Sequence, residues 1–296
     1  MESICIIFNP AARGDKARKF RAYIETMKEF ALLPTTGPGA ARELATKAIS
    51  QGYKTIVAAG GDGTLNEVLN GIADVPDGFE RTRLAVLPLG TINVFARELK
   101  LPLDARKFWP VLERGNELNL DIGRADFSIS GTPATRHFIQ LAGAGLDARA
   151  VELVSWELKK KIGSAAYVIA GLKALSSEQA QIEISNGSQT ERGELIIIGN
   201  GKLYGGNFPL LHRSDLRDGM LDAIIFKSVN WATLPGHLWD WISGKIYKPG
   251  GSIYMQGVRF DLKSNKRAVF QLDGEWAGEL PLTISVLPGK LRVIVP

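Results

Sequence analysis

The amino-acid sequence predicts an α/β domain built on a parallel sheet, followed by a domain of antiparallel strands. Residues 1–120 alternate apolar, strand-like runs with helix-like segments, and each run ends in a polar or glycine-containing loop. Alternation of this kind is typical of a parallel sheet covered by helices. Residues 121–296 contain mainly short alternating runs, which are typical of a sandwich or barrel. We therefore place a domain boundary near residue 120, and the pattern leaves open whether the last strand, 290–296, returns to the first domain.

The first domain is expected to contain four strands, each followed by a helix. The strands are Ile4–Phe8, Leu32-Leu33, Thr55–Ala59 and Arg83–Leu87. Helices are expected to end near Phe30 and near Ser50, to begin at Thr64, and to run from Ile92 to Leu99. Parallel sheets bind ligands beyond the carboxyl ends of their strands. The loops at that edge contain Asn9, Thr35-Thr36, Gly60–Thr64 and Gly90-Thr91.

The second domain is expected to consist of short strands with helical insertions. The strands are Phe138–Leu141, Gln181–Ile184, Glu194–Ile198, Leu221–Phe226, Ile253–Phe260, Ala268–Leu272, Leu282–Val286 and Leu291–Val295. The helical insertions are expected at about Ala148–Leu175 and Trp231–Ser243. Gly143–Ala148 fits the spacing Gly-x-Gly-x-x-Ala, but it lies outside a βαβ unit, so we interpret it as a tight strand-to-helix connection.

Composition limits the functional classes. The chain has 296 residues, of which 45% are hydrophobic and 23% charged, and its formal net charge is +5, which favours anionic partners such as nucleotides or lipid headgroups. A single cysteine, Cys5, excludes an intramolecular disulfide, and three scattered histidines argue against a histidine-rich metal site. We expect no nucleic-acid partner, because basic and aromatic residues are not interleaved. We also expect no transmembrane segment or signal peptide. The single cysteine fits a reducing cytosol, so we expect a cytoplasmic protein.

The most informative stretch is the glycine loop Gly60–Glu67, which follows an apolar strand and opens an amphipathic helix. Thr64 and Glu67 have the spacing of a capping box, which predicts that the helix begins at Thr64. Glycines before a helix N-terminus favour an anion, since backbone N–H groups are free there. Asp62 would repel a phosphate unless it holds Mg²⁺ or takes a proton. The loop matches neither a Walker A loop nor a dinucleotide fingerprint, and it suggests phosphoryl transfer.

Other acidic positions are less informative by themselves. Asp273-Gly274-Glu275 lies between apolar runs and predicts a hairpin turn. Asp215 and Asp218 would be ordinary loop acids.

These segments nevertheless form one ordered series along the chain. The series is Asn9-Pro10, Thr35-Thr36, Gly60–Glu67, Pro88–Asn93, Asp121-x-Gly123, Gly143–Asp147, Gly199–Gly201, Tyr204–Gly206, Asp218–Asp222, Asp273–Glu275 and Pro288-Gly289. In order and spacing it resembles the bacterial lipid kinases of the diacylglycerol kinase catalytic-domain family, which also includes sphingoid-base kinases. The resemblance covers essentially the whole chain. It implies an α/β nucleotide-binding domain followed by a β-sandwich domain, with the active site in the interdomain cleft.

The resemblance also implies roles for individual residues. ATP would be bound by Asn9, Thr35 or Thr36, Gly60, Gly61, Asp62, Gly63, Thr64, Leu65, Asn66 and Thr91. Glu275 would be the proton acceptor, and Asp62 would serve the metal or act as the base. Asp215, Asp218 and the backbone of Met220 would form a structural Mg²⁺ site. The chain departs from the family pattern in three places: Val94 replaces an aspartate, Asn207 replaces a glycine, and a segment containing Leu211-His212-Arg213 replaces the usual Pro-x-Ala before the acidic loop.

The expected function is that of an ATP-dependent lipid kinase, which transfers the γ-phosphate to a lipid hydroxyl with diacylglycerol as the leading acceptor. Its partner would be a lipid at the inner surface of the membrane, which the protein would approach peripherally, and a homodimer stays open. One alternative is a kinase of a soluble acceptor such as NAD, because NAD kinases share a Gly-Gly-Asp-Gly loop. Another is a non-catalytic regulator that binds a nucleotide or a lipid.

Overall fold

The computed structural model describes residues 4–12, 30–153, 170–171, 173–242 and 252–296. Its N-terminal part contains the strands β1 (Ile4–Phe8), β2 (Ala31–Pro34), β3 (Thr55–Gly60) and β4 (Arg83–Pro88). Its helices are α1 (Ala40–Ser50), α2 (Asp62–Ala73), α3 (Gly78–Arg81), α4 (Val94–Glu98) and α5 (Ala105–Arg114). The strands are parallel in the order β2-β1-β3-β4, which confirms the predicted parallel sheet. The helix expected to end near Phe30 falls on residues outside the described part of the chain.

The central strand β3 is buried along its whole length, because helices cover both faces of the sheet. On one face, Ile56 and Ala58 pack with apolar residues of α1 and α2. On the opposite face, Val57 and Ala59 pack with Phe108 of α5. Successive side chains of a strand point to opposite faces, so this position requires an uninterrupted apolar run.

The C-terminal part consists mainly of antiparallel strands. They are β5 (Glu117–Ile129), β6 (Thr132–Phe138), β7 (Leu141–Gly145), β8 (Ile182–Ser185), β9 (Thr190–Gly193), β10 (Leu195–Gly199), β11 (Leu203–Tyr204), β12 (Phe208–Pro209), β13 (Leu221–Phe226), β14 (Ile253–Gly257), β15 (Arg259–Ser264), β16 (Val269–Leu272), β17 (Glu275–Glu279) and β18 (Leu282–Ile294). One sheet has the order β14-β13-β10-β7-β16-β17. Its Phe270 packs edge-to-face on Phe127 of the other sheet, with ring centroids 5.0 Å apart. The predicted β-sandwich is confirmed.

Strand β18 connects the two parts of the fold. Near its C-terminal end, Val293 pairs in parallel with Leu84 of β4, and the strand pairs antiparallel with β5 along most of its length. The last strand therefore returns to the sheet of the N-terminal part. Residue 120 lies within β5, and the division into 1–120 and 121–296 stays a prediction.

Several expected strands have different bounds in the structure. Leu282–Val286 and Leu291–Val295 lie in one strand with an irregularity in its middle, because both halves pair with β5. Ile253–Phe260 is divided into β14 and β15, which belong to opposite sheets. Phe138–Leu141 is the junction between β6 and β7.

The helical insertions lie close to their expected positions. α7 (Leu234–Ile242) occupies most of the expected span Trp231–Ser243. α6 (Leu146–Leu153) begins the span expected at Ala148–Leu175, and residues 154–169 of that span lie outside the described ranges.

Candidate active site

Four loops meet at the carboxyl edge of the parallel sheet, because β1 to β4 are parallel and in register. Adjacent loops are joined by hydrogen bonds. The backbone N–H of Thr35 donates to the carbonyl of Phe8 at 2.8 Å. The side-chain amide of Asn9 donates to Thr64 Oγ1 at 3.1 Å. The positions expected to bind a nucleotide are therefore brought to one edge, although they come from separate segments.

Two of these positions have side chains that face inward. Leu65 is 3% exposed and packs in the core under the sheet. Asn66 is 0% exposed, and its amide donates to the carbonyl of His137 at 3.1 Å and to Asp273 at 2.8 Å. Thr36 and Thr91, in contrast, are exposed in their loops. The loop around Gly60 could thus reach a nucleotide mainly through its backbone and through Thr64.

The glycines of the loop allow two backbone segments to touch. A Cβ on Gly60 would lie 2.4 Å from Thr64 Oγ1, and a Cβ on Gly90 would lie 2.5 Å from the Cα of Gly61. The carbonyl of Gly60 also accepts the backbone N–H groups of Leu89 and Gly90, at 2.9 and 3.2 Å. The loops after β3 and β4 therefore form one packed unit.

The predicted capping box is wrong, because its two side chains have other partners. Helix α2 begins at Asp62, two residues before Thr64. Thr64 accepts the amide of Asn9, and Glu67 accepts the backbone N–H groups of Gly39 and Ala41, where α1 begins. The N-cap of α2 is Gly61, which provides no side-chain cap. A first turn without a side-chain cap keeps the N–H groups that an anion requires.

The carboxylate of Asp62 lies at the start of α4. It accepts hydrogen bonds from the backbone N–H groups of Asn93, Val94 and Phe95. Burial raises the pKa of Asp62 and the charge of Asp273 raises it further, whereas the hydrogen bonds from the amides oppose this shift. Val94 thus contacts Asp62 through its backbone, so this contact does not require the aspartate that the family pattern has there.

The turn between β16 and β17 carries the second acidic group. Asp273 and Gly274 both have positive φ, 49° and 83°, as the predicted Asp-Gly hairpin turn requires. The Asp273 carboxylate accepts the backbone N–H groups of Ile139, Gln140 and Leu141 at 2.9, 2.9 and 3.1 Å. Burial raises the pKa of Asp273, and these donors act against the shift. The sequence did not indicate this role for Asp273.

Glu275 follows this turn and lies against the glycine loop. A Cβ on Gly63 would be 2.6 Å from Glu275 Oε1, so the carboxylate contacts the backbone of the loop directly. The other oxygen, Oε2, is 3.7 Å from Nη2 of Arg136, which also donates to Asn66 Oδ1 at 3.2 Å. The structure therefore brings Glu275 and the loop that contains Asp62 together. Sequence reasoning missed Arg136, because it lies in a strand without a recognisable motif.

A buried chain of polar contacts supports the turn from its far side, and sequence reasoning missed it as well. Gln271 is 1% exposed and accepts the backbone N–H of Gly274 at 2.7 Å. Its amide donates to Asp147 at 2.8 Å, and the hydroxyl of Tyr204 donates to the same carboxylate at 2.5 Å. Burial raises the pKa of Asp147. The sequence signal for this chain was the spacing of Gly143 and Asp147. Residue 143 has to be glycine, because a Cβ there would lie 2.1 Å from Asp147 Oδ2.

The acids expected to form a structural Mg²⁺ site lie together in the loop before β13. Asp218 accepts the backbone N–H of Met220 at 2.9 Å, and Asp215 accepts that of Arg217 at 3.1 Å. Burial raises the pKa of Asp218, and the nearby charges of Asp222 and Asp215 raise it further. Mutual repulsion of this kind favours a bound cation.

The side chains available as metal ligands limit which ions this loop can bind. Asp121 lies nearby, but its oxygens accept the backbone N–H groups of Gly219 and Gly289, at 2.7 and 2.6 Å. Within the described residues, no group of three acidic, histidine or cysteine side chains is placed to hold a metal. The residues present fit Mg²⁺ only with backbone carbonyls and water among its ligands, which is compatible with the expected use of Met220.

Comparison with known proteins gives two family matches. Residues 3–125 match the diacylglycerol kinase catalytic domain, and residues 140–295 match the YegS C-terminal NAD kinase beta sandwich-like domain. A protein of Staphylococcus carnosus named diacylglycerol kinase is 30% identical over 98% of this chain and 94% of its own length. One of Staphylococcus saprophyticus with the same name is 32% identical, with the same coverage of 98% and 94%.

Solved structures show the same fold. A diacylglycerol kinase structure from Bacillus anthracis has a TM-score of 0.74 and 21% identity, covering 100% of this chain and 97% of that one. Yeast NADH kinase complexed with NADH has a TM-score of 0.57 and 9% identity, covering 100% and 84%. At these identities the likeness concerns the fold alone.

Proposed function

The chain belongs to the diacylglycerol kinase family, and from that membership we propose that it is an ATP-dependent lipid kinase. It transfers the γ-phosphate of ATP to a lipid hydroxyl, with diacylglycerol as the leading acceptor. The observation that carries the proposal is the contact of Glu275 with Gly63. A proton acceptor from the β-sandwich side meets an anion-binding loop from the parallel sheet, which is the pairing that phosphoryl transfer to an alcohol requires.

The donor nucleotide binds at the carboxyl edge of the parallel sheet. Backbone N–H groups at the start of α2 donate hydrogen bonds to its phosphates, because the N-cap Gly61 carries no side chain that would occupy them. Asn9, Thr35 or Thr36, and Thr91 lie on the neighbouring loops and bind the remaining parts of ATP. Asp62 is the first residue of α2, and its carboxylate accepts the backbone N–H groups of Asn93, Val94 and Phe95.

Glu275 acts as the base. The lipid hydroxyl oxygen attacks the γ-phosphorus, its proton passes to the Glu275 carboxylate, and the bond from phosphorus to the leaving ADP oxygen breaks. Glu275 is assigned this task because its side chain is 42% exposed and one of its oxygens contacts Gly63, so it can meet a hydroxyl that approaches the glycine loop. Mg²⁺, when bound, supplies charge neutralisation on the phosphates. We assign Asp62 to hold that ion, and Asp215, Asp218 and the Met220 carbonyl to hold a structural one.

The acceptor is expected at the inner surface of the membrane, which the protein reaches from the cytoplasm. Among the described residues, no helix is long and apolar enough to cross a membrane. The net charge of +5 would favour an anionic bilayer. Sedimentation with vesicles of phosphatidylglycerol and phosphatidylcholine tests this association, and light scattering in solution tests the homodimer.

The decisive experiment measures phosphate transfer from ATP with Mg²⁺ over a panel of lipid alcohols in mixed micelles. Asp62→Asn and Glu275→Gln serve as matched variants that keep side-chain size. Phosphorylated lipid from the wild type, lost in both variants, is the expected result. No product on any lipid would contradict the proposal.

The same panel contains NAD, because the second family match and the fold of yeast NADH kinase make a soluble acceptor the second candidate. Phosphorylation of NAD without phosphorylation of any lipid would establish a kinase of a soluble acceptor. ATP binding without turnover of any alcohol would favour the non-catalytic regulator.

A further inference from the structure

We propose that Arg136 is a further catalytic residue, whose guanidinium binds the phosphoryl group as it passes from donor to acceptor. The inference rests on the proposed phosphoryl transfer, and it adds a cationic side chain to the carboxylates of Asp62 and Glu275. Neither the glycine loop nor the Asp-Gly-Glu turn contains a basic residue.

The position of Arg136 directs it toward the donor site. It lies in β6, where it pairs with Ala125 of β5. Its side chain reaches α2, and Nη2 donates to Asn66 Oδ1 at 3.2 Å. A basic side chain from the β-sandwich side is thereby placed beside the first turn of the helix that follows the glycine loop.

The distances around Glu275 place the guanidinium near the reacting atoms. One oxygen of this carboxylate contacts Gly63, and the other is 3.7 Å from Arg136 Nη2. Arg136 and the glycine loop thus lie against different oxygens of the carboxylate that would accept the proton. A phosphoryl group bound at the glycine loop beside Glu275 would lie within reach of a side chain of this length.

The hydrogen bonds of Arg136 distinguish it from a structural arginine. Among the described residues, its guanidinium makes one hydrogen bond, to Asn66, and its separation from Glu275 is too long for another. Arg267, in contrast, donates to two carboxylates, those of Glu152 and Glu279, at 2.7 and 2.8 Å. The Arg136 side chain is 24% exposed, and a guanidinium has five N–H donors. Most of its donors therefore remain for a ligand.

The chemistry requires such a cation. Negative charge spreads over the oxygens of the transferred group, and Asp62 and Glu275 on either side would repel it. A guanidinium can bind two of these oxygens at once, which lysine cannot do.

The test compares Arg136→Met and Arg136→Lys with Arg124→Met. Arg124 is a matched control, because it lies in the adjacent strand, pairs with Asp126 at 2.9 Å and is not part of the site. We expect Arg136→Met to lower kcat roughly 100-fold, which is the usual loss on removing one group that stabilises transition-state charge. We expect Arg136→Lys to recover less than a tenth of that loss, and Arg124→Met to stay within twofold of the wild type.

A second measurement separates binding of the phosphoryl group from support of the fold. ADP mimics the donor without the transferred group, whereas ADP with Mg²⁺ and fluoroaluminate also occupies the phosphoryl position. Arg136→Met should bind ADP within threefold of the wild type and lose at least tenfold in affinity for the fluoroaluminate complex. An equal change in both affinities, or none, would overturn the proposal.

The two measurements also separate this inference from the proposed function. If the wild type phosphorylates no lipid but binds the fluoroaluminate complex, the assignment of a lipid acceptor fails. The binding measurement then still shows whether Arg136 binds the phosphoryl group. If the wild type binds neither ADP nor the complex, both proposals fail.

Discussion

The side-chain amide of Asn66 donates a hydrogen bond of 2.8 Å to the carboxylate of Asp273, 207 residues further along the chain. Asn66 belongs to the helix that follows the glycine loop, and Asp273 begins the turn that carries Glu275. The same carboxylate accepts three backbone N–H groups from residues 139–141. One buried acid therefore fixes the donor helix, the β6–β7 junction and the proposed base relative to each other.

Asn66→Ala should weaken both the fold and the site. It removes the side-chain donor to Asp273 and the hydrogen bond to the carbonyl of His137. Leaving a buried charge without one of its donors costs about 1–3 kcal/mol of unfolding free energy, measurable by urea denaturation. Asn186→Ala is the control, because its amide bonds a carbonyl near the surface. Equal losses of unfolding free energy in the two variants would show that the buried Asn66–Asp273 hydrogen bond stabilises the fold no more than a hydrogen bond near the surface.

Gly63→Ala should strongly reduce activity without unfolding the protein. The added Cβ would lie 2.6 Å from Glu275 Oε1 and displace that carboxylate from the loop. Alanine is a better helix residue than glycine by roughly 0.5–1 kcal/mol, so the melting temperature should hold or rise. A shift of a reacting group by about 1 Å costs on the order of 100-fold in rate.

Gly236→Ala provides the control for that variant, because a Cβ there meets nothing within 4 Å. It should leave kcat within twofold of the wild type. Retention of full activity by Gly63→Ala would show that Glu275 does not act from its observed position.

The α/β half of the fold could be predicted from the sequence, because its local signals agree with its tertiary role. The run Thr55–Ala59 is apolar throughout, and β3 is buried on both faces. The strand β5 was not predicted, although Glu117–Ile122 alternates polar and apolar residues as a half-buried strand does. Its course is set by pairing with β18, more than 150 residues away, which no local pattern encodes.

The placement of the candidate residues at one sheet edge was predictable where a motif coincides with a strand end, as at Asn9 and the glycine loop. The capping box failed for a tertiary reason, since Glu67 is required at the start of α1. Arg136 and Gln271 could not be found from the sequence, because only folding brings each of them to the groups that it contacts.

Gln271→Leu should lower both stability and kcat. Its oxygen holds the backbone N–H of Gly274, and its amide satisfies one oxygen of the Asp147 carboxylate. Leucine of similar size leaves both groups buried without this partner, at about 1–3 kcal/mol. The turn that carries Glu275 would also be less firmly held. Gln189→Leu, at an exposed position, should change neither quantity, and an unchanged kcat in Gln271→Leu would contradict the positioning role.

His137 should make the protein less stable in mild acid. Burial lowers the pKa of His137 from 6.5 to about 4, with the charge of Arg124 acting in the same direction. Between these values the unfolded chain binds a proton that the folded chain does not, so stability falls as the pH decreases from 6.5 toward 4. The loss attributable to this group approaches about 3 kcal/mol once the pH is below the folded value. Urea denaturation at half-unit intervals of pH measures it.

His137→Phe should flatten this dependence. Phenylalanine keeps an aromatic ring against Phe79, whose ring centroid is 5.9 Å from that of His137, and it cannot bind a proton. His212→Phe is the matched control, because His212 is exposed. We expect the wild type and His212→Phe to lose stability in parallel from pH 6.5 to 4, and His137→Phe to lose about 3 kcal/mol less over that range. If stability falls with decreasing pH as steeply in His137→Phe as in the wild type, other groups cause the acid sensitivity. The buried carboxylates of Asp273 and Asp147 are not its source, because a pKa raised by folding makes the protein more stable as the pH decreases.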